Sequence, residues 1–292
     1  MRILLTGGRG QLGVAVAEAV ARGNSQGAAQ VELIAPGRDL LDLEDVDRAH
    51  DFVVAQRPTH LLHGGAWTAV DAAESEPARA AQVNEVSTRV LARAARAVGA
   101  KMLYVSTDFV FGAGHDRPIA VDAPPAPMNV YGQTKLGGER AVREILGDDA
   151  LIVRTSWVYS TGGANFMKTM LRLMEERPSL RVVADQIGTP TAAETLAQAS
   201  LELLRRGERG IWHVSDAGSA SWYDFAVAIY EEARALGLLS AAVEIAPIPS
   251  EAYPVPAPRP RYSVLDKSKT WEAGVLTPVH WRQKLRETLA GV

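Results

Sequence analysis

Tyr131 and Lys135 stand four residues apart in Tyr131-Gly132-Gln133-Thr134-Lys135, a spacing at which a helix stacks a phenol and an ammonium on one face. Such a pair can move a proton. A free phenol titrates near pH ~10, and a nearby positive charge stabilises its ionised form. The choice of lysine is informative because 25 of the 31 basic residues are arginine and six are lysine. A compact ammonium tunes a neighbouring pKa and donates in several directions, which a planar guanidinium does less well. A third donor is needed to polarise a carbonyl, and Ser106-Thr107-Asp108, at the end of a predicted strand, supplies hydroxyls. Thr107 fits best. The chemistry of this trio is protonation of a developing alkoxide by Tyr131 while Thr107 hydrogen-bonds the same oxygen.

A source of hydride is suggested at the other end of the chain. Gly7, Gly10 and Gly13 follow a short apolar run in the pattern G-x-x-G-x-x-G. Glycine at such positions allows a tight turn, close approach of backbone to a pyrophosphate and packing of the next helix, whose N-terminus faces the anion. With a reduced nicotinamide bound there, hydride passes to a ketone carbon, and Lys135 also holds the nicotinamide ribose. The acidic ribose ligand usual after the second strand is missing, since Ala35-Pro36-Gly37-Arg38 stands there. Arg38 either meets a 2'-phosphate, favouring NADPH while leaving NADH open, or is an ordinary surface charge. Asp42 and Leu43 are candidates for adenine contacts, although Asp42 equally suits a helix cap.

The elements that must position these residues alternate. Ile3 to Thr6, Val31 to Ala35, His60 to His63, Lys101 to Ser106 and Ala150 to Arg154 read as strands. Between them the helical period appears from Leu12 to Arg22, from Leu43 to Arg57 with Asp42 as cap, and from Ala78 to Val98 as one long helix. This alternation predicts a doubly wound α/β Rossmann domain, with a parallel sheet and ligands at the carboxyl ends of its strands. It covers residues 1–155 with a return near 190–214, and a smaller mixed α/β substrate domain takes 156–189 and 215–292. Residues 107–130 form a long loop of the kind that serves function. Further helices are expected over Phe166 to Arg177, Ala193 to Arg206 and Trp222 to Leu236, and a last one with Thr277 as cap and Pro278 at its first position. The six prolines between Pro247 and Pro260 predict an extended surface segment.

Composition excludes several alternatives. The net charge of -3 gives no basic field for a nucleic acid. Cysteine is absent, which removes disulfides and thiolate chemistry and fits a cytoplasmic location. No apolar run is long enough to cross a bilayer, and the N-terminus reads as a first strand rather than a signal peptide. His60 and His63 point to opposite faces of a strand, so no metal site is expected from them. Trp157 could stack on a planar or sugar ligand or pack in the core. Arg259 could clamp a substrate diphosphate or be an exposed charge.

Taken together, the chain resembles the dTDP-4-dehydrorhamnose reductases, extended short-chain dehydrogenases/reductases, over nearly its whole length. The resemblance rests on Gly10-Gln11-Leu12-Gly13, Thr68-Ala69-Val70-Asp71 with Ala73-Glu74-Ser75-Glu76, and Ser106-Thr107-Asp108-Phe109-Val110-Phe111. It extends through Asn129-Val130-Tyr131-Gly132-Gln133-Thr134-Lys135-Leu136, Arg154-Thr155-Ser156-Trp157-Val158-Tyr159, Asp185-Gln186-Ile187-Gly188-Thr189-Pro190-Thr191 and Arg259-Pro260. It implies reduction of dTDP-4-dehydro-6-deoxy-L-mannose to dTDP-L-rhamnose with NADPH or NADH, for cell-envelope polysaccharide. It implies coenzyme contacts at Gly10, Gln11, Leu12, Asp42, Leu43, Ala66, Trp67, Thr68, Tyr131 and Lys135, and substrate contacts at Thr107, Asp108 and Trp157. Mg2+ is a further possibility of the family, but Ala15 occupies the place of the glutamate through which magnesium-linked members dimerise. A monomer or weak homodimer is therefore expected. Gly64-Gly65 departs from the family's usual Ala-Ala. Two other readings stay open: a ketoreductase for a different dTDP-4-keto-deoxyhexose, and a non-catalytic regulatory subunit of the same fold, against which the intact Thr107, Tyr131 and Lys135 argue.

Overall fold

Successive side chains of the first strand are buried on opposite faces, and this determines the architecture of the chain. In the computed structural model, which describes residues 1–26 and 30–292, Ile3 and Leu5 pack into one hydrophobic cluster and Leu4 into another. The same alternation sends Leu62, Leu103, Leu151 and Val153 to the first cluster and Leu61, Met102, Tyr104 and Ile152 to the second. A sheet buried on both faces results, as parallel strands require.

The sheet contains β1 (Arg2–Thr6), β2 (Glu32–Ile34), β3 (His60–His63), β4 (Lys101–Thr107), β5 (Leu151–Thr155) and β6 (Gly210–His213), all paired in parallel. Their spatial order is β6-β5-β4-β3-β1-β2. The direction of winding reverses between β1 and β3, and a doubly wound sheet binds ligands at that switch point. One face is covered by α1 (Gln11–Ser25), and the other by α2 (Val46–Gln56), α3 (Ser87–Ala97) and α4 (Val130–Leu146). The helix α5 (Ala193–Arg206) returns to pack on α1.

A second core lies beyond β5. Met167, Met170 and Met174 on the helix Phe166–Glu176 meet Phe225 and Ile229 on Trp222–Ala235, and Leu285 and Leu289 on Trp281–Leu289. The strand Glu244–Ile248 pairs in parallel with Ser179–Val183, so part of the proline-rich stretch is a strand. The remainder crosses to the first core, where Asn129 Nδ2 donates to the Pro258 carbonyl at 2.9 Å.

Three sequence expectations need correction. Asp42 does not cap α2: its carboxylate accepts from the Glu44 amide two residues on, and Asp45, accepting from the Arg48 amide, is the cap. Thr277 and Pro278 do not start the last helix. The Val279 carbonyl accepts from the Ala217 amide and the Ala217 carbonyl from the Trp281 amide, which keeps the chain extended until His280 caps the helix. The long helix expected over Ala78 to Val98 is interrupted by a π-turn at Gln82–Val86, a local widening that often marks functional sites.

Candidate active site

The glycine loop leaves β1 in a conformation that only glycine adopts without strain. Gly7 has φ +73°, and a Cβ there would lie 2.9 Å from the Gly65 Cα. Gly13 serves helix packing, since a Cβ on it would come within 2.3 Å of the Gly7 carbonyl oxygen. Gly10 is different: a Cβ would approach Gly7 O alone, at 3.2 Å, and otherwise point into open space. Gly10 is also the N-cap of α1 and supplies no side chain to its first amides. Those unpartnered amides and the positive end of the helix dipole form a seat for an anion.

Two lobes of one cleft meet at this seat. A lobe of about 290 Å³ is lined by Arg9, Arg38, Asp42, Leu43 and Trp67, and one of about 610 Å³ by Gln11, Leu12, Gly13, Thr68, Thr107, Asp108, Tyr131, Lys135, Trp157 and Arg259. Gly7, Gly10, Gly65 and Ala66 line both. The cleft thus runs from a charged outer lobe, across the glycine loop, to the Tyr131–Lys135 face of α4. That is the shape a dinucleotide with a second ligand at its reactive end requires, so the residues present fit a nicotinamide coenzyme.

The reactive end is built from the ends of β4 and α4. Asn129 caps α4 by accepting from the Gly132 amide at 2.8 Å, which places Tyr131 in the first turn and Lys135 one turn later. Both are buried. Lys135 Nζ donates to the Val105 carbonyl at 2.7 Å and lies 4.2 Å from the Tyr104 ring centroid. Burial pulls its ammonium down to about 7, with Glu139 acting in the opposite sense. Burial pushes the Tyr131 phenol up to about 12 while Thr107 pulls it down and Asp108 raises it, so Tyr131 is a protonated donor at neutral pH. Thr107 Oγ1 donates to Asp108 Oδ1 at 3.1 Å. Burial lifts the Asp108 carboxyl to about 6.

A family model described as RmlD substrate binding domain matches residues 1–292. The dTDP-4-dehydrorhamnose reductase of Streptomyces griseus is 43% identical over 293 residues, covering 98% of this chain and 92% of that protein. The chain belongs to the dTDP-4-dehydrorhamnose reductase family. The crystal structure of the Bacillus anthracis dTDP-4-dehydrorhamnose reductase in complex with NADP superposes with a TM-score of 0.91 at 35% identity, covering 100% of this chain and 99% of that one. A dTDP-4-keto-6-deoxy-D-glucose reductase of Streptomyces niveus is also similar, 38% identical over 98% of this chain and 96% of that protein.

Several expected contacts in this member of the dTDP-4-dehydrorhamnose reductase family are already engaged with protein. The Gln11 side chain accepts from Ser160 at 3.1 Å and Asn165 at 2.9 Å, which leaves its backbone amide for a ligand. Trp157, with φ +45°, lies flat on Trp222 at 3.5 Å, so one of its faces is closed to stacking. Arg259 pairs with Asp71 at 2.9 Å. Arg38 pairs with Asp42 and Glu44, and Glu44 also holds Arg79. The Mg2+ possibility finds no support: among the described residues no group of three or more His, Cys, Asp or Glu could hold a metal, and Ala15 is buried in the core.

Sequence reasoning missed three participants, Thr155, Asn84 and Arg9, while Asp108 was among the expected substrate contacts. Thr155 Oγ1 and Asp108 Oδ2 are buried without partners in residues that line the larger lobe. Thr155 lies opposite Thr107 in the β4–β5 register, so the two strand ends deliver a pair of hydroxyls; its place just before Trp157 was the available signal. Asn84, in the π-turn, accepts from the Trp67 amide and donates to the Trp67 carbonyl and to Thr134. It staples the loop after β3 to α4. Arg9 brings a second cation to the outer lobe, within the glycine motif itself.

Proposed function

We propose that this protein catalyses NADPH-dependent reduction of the 4-keto group of dTDP-4-dehydro-6-deoxy-L-mannose, giving dTDP-L-rhamnose, with NADH as a weaker donor. The observation that carries the reading is the convergence of Thr107, Tyr131 and Lys135 in one lobe of a cleft whose other lobe adjoins the glycine seat. The reduced nicotinamide supplies the hydride. Thr107 hydrogen-bonds the carbonyl oxygen, Tyr131 delivers the proton to it as negative charge develops, and Lys135 stabilises the phenolate left behind. Asp108 Oδ2 and Thr155 Oγ1 offer unpaired sites to the sugar hydroxyls, and Arg259 turns from Asp71 toward the diphosphate. The outer lobe takes the adenosine, with Arg9 and Arg38 beside its 2'-phosphate, and Leu43, Ala66 and Trp67 against the base.

On this reading the sheet unit, residues 1–155 with the return near 190–214, binds coenzyme, and residues 156–189 and 215–292 bind the sugar nucleotide. The assembly is a monomer or weak homodimer in the cytoplasm, where nucleotide sugars are made. The experiment is loss of reduced-nicotinamide absorbance when the protein meets enzymatically generated keto-sugar nucleotide, with the product identified by NMR. Turnover confined to a different dTDP-4-keto-deoxyhexose, as the similarity to the Streptomyces niveus reductase allows, would reassign the sugar. No turnover with any of them would reject the reading.

A further inference from the structure

Behind the catalytic strand ends lies a buried ionic arrangement that the reaction described above does not use. Glu139 follows Lys135 by one turn of α4 and is 2% exposed, as is Arg154. Glu139 Oε1 accepts from Ser106 Oγ at 2.5 Å and from Arg154 Nε at 2.9 Å, and its Oε2 accepts from Arg154 Nη2 at 2.7 Å. Arg154 Nη1 donates to the Val121 carbonyl at 3.3 Å. Ser106 and Arg154 are direct register partners across β4 and β5, and the next pair along the strands is Thr107 and Thr155. One carboxylate therefore braces both strands a single residue behind the hydroxyls that enter the cleft.

Stability alone is a poor reason for this construction, because a buried ion pair can usually be replaced by apolar side chains at no loss. Its position supplies a better one. Residues four apart on a helix are neighbours, so Glu139 puts a negative charge beside the Lys135 ammonium and favours its protonated form, while Arg154 holds that carboxylate through two hydrogen bonds. We infer that Glu139 is a positioning residue of the proton-transfer centre: it holds Ser106 and Arg154 in register behind Thr107, and its carboxylate, shared between Arg154 and the neighbouring helical turn, supports the positive charge of Lys135.

The other groups around Lys135 do not supply that negative charge. From β4 it meets the Tyr104 ring and the Val105 carbonyl. His63 on β3 is held neutral, as burial and then Lys135 itself lower it to about 3. Tyr131, on the same helix, stays protonated. Asp108 lies past the end of β4, bonded to Thr107, and Glu85 of the π-turn packs against Gly137 on α4.

The inference rests on the proposed reductase activity, so its test includes a readout that needs no sugar. NADPH affinity by fluorescence and kcat/KM for the keto-sugar nucleotide are measured against pH in three proteins: the parent, Glu139→Gln and Arg154→Met. Glu139→Gln leaves Arg154 unopposed, and the alkaline limb of both profiles moves about one pH unit lower. Arg154→Met leaves the carboxylate unopposed, and the limb moves higher. A brace without electrostatic action would lower both quantities at every pH with the limb in place. Limbs that stay fixed, or that move in the same direction, overturn the inference. If one variant does not fold, the direction of shift in the other decides. A parent that binds NADPH with such a limb but reduces no keto-sugar nucleotide refutes the activity and leaves the inference to the binding profiles.

Discussion

Lys135 Nζ donates to the Val105 carbonyl oxygen at 2.7 Å, which anchors the ammonium to β4 before any ligand arrives. The anchor fixes its direction, while burial brings its proton affinity down to about 7. The free-enzyme profile of kcat/KM should therefore fall on the alkaline side from about pH 7, as Lys135 loses its charge. Lys135→Met should remove this limb and lower kcat/KM by roughly 10²-fold or more. A limb that survives in the variant assigns the titration to another group.

Tyr131 lies edge-on to Phe109, 5.6 Å between ring centroids at 73°, so its ring is packed independently of its hydroxyl. Tyr131→Phe keeps that packing and deletes the proton donor. Coenzyme affinity should be unchanged and turnover should drop by roughly 10² to 10⁴. Turnover within a few fold of the parent would remove Tyr131 from the reaction.

Asp108 links the site to stability. Its carboxyl is raised by burial from 3.8 to about 6, so the folded chain holds this proton more tightly than the unfolded chain. The stability it contributes is complete below pH ~4 and is lost as pH rises through about 6. Above that, the ionised group costs the fold up to roughly 3 kcal/mol. Asp108→Asn should therefore raise Tm over the parent at pH 8, with a smaller gain at pH 4, and lower kcat/KM for the sugar. Calorimetry at the two pH values checks it, and equal gains at both would show that the charge is not the cause.

Arg38 meets two carboxylates, Asp42 and Glu44, and a 2'-phosphate would compete with them for its guanidinium. Arg38→Ala should weaken NADPH roughly tenfold or more, as loss of a charge-assisted contact does, and leave NADH nearly unchanged. Dissociation constants for both coenzymes decide the matter; an unchanged ratio dismisses the assignment.

How legible the chain was depends on the range of the forces involved. The sheet is local chemistry repeated: Ile3, Leu4 and Leu5 form the continuous apolar run that a strand buried on both faces needs, and the glycine triplet marks the first turn. Tyr131 and Lys135 were legible because a helix brings them together whatever surrounds it. Asp42 misled because Asp42 and Asp45 both suit a cap, and only the path of the backbone decides which carboxylate finds a free amide. The π-turn at Gln82–Val86 could not be seen, since its extra residue answers to Asn84 gripping Trp67 and Thr134 from elsewhere in the chain. Thr155 and the Glu139–Arg154 pair were likewise invisible as participants, because β5 acquires its place beside Thr107 only through strand register.

The glycine motif gives the sharpest separation of fold from function. Gly10 and Gly13 belong to one triplet, yet an added methyl meets a different environment at each. At Gly13 it would lie 2.3 Å from Gly7 O and 2.5 Å from Gly8 O, backbone atoms that cannot move without disturbing the β1–α1 turn. At Gly10 the Gly7 oxygen at 3.2 Å is the sole near neighbour, and a few tenths of an ångström relieve it. Gly13→Ala should thus lower Tm, by an amount typical of overpacking at roughly 1–3 kcal/mol. Gly10→Ala should melt close to the parent and lose most NADPH affinity, because its methyl occupies the space where pyrophosphate approaches the helix N-terminus. Thermal melts paired with coenzyme titrations separate the two effects. Undiminished NADPH affinity in a folded Gly10→Ala protein would move the pyrophosphate away from this turn, and with it the assignment of the two lobes.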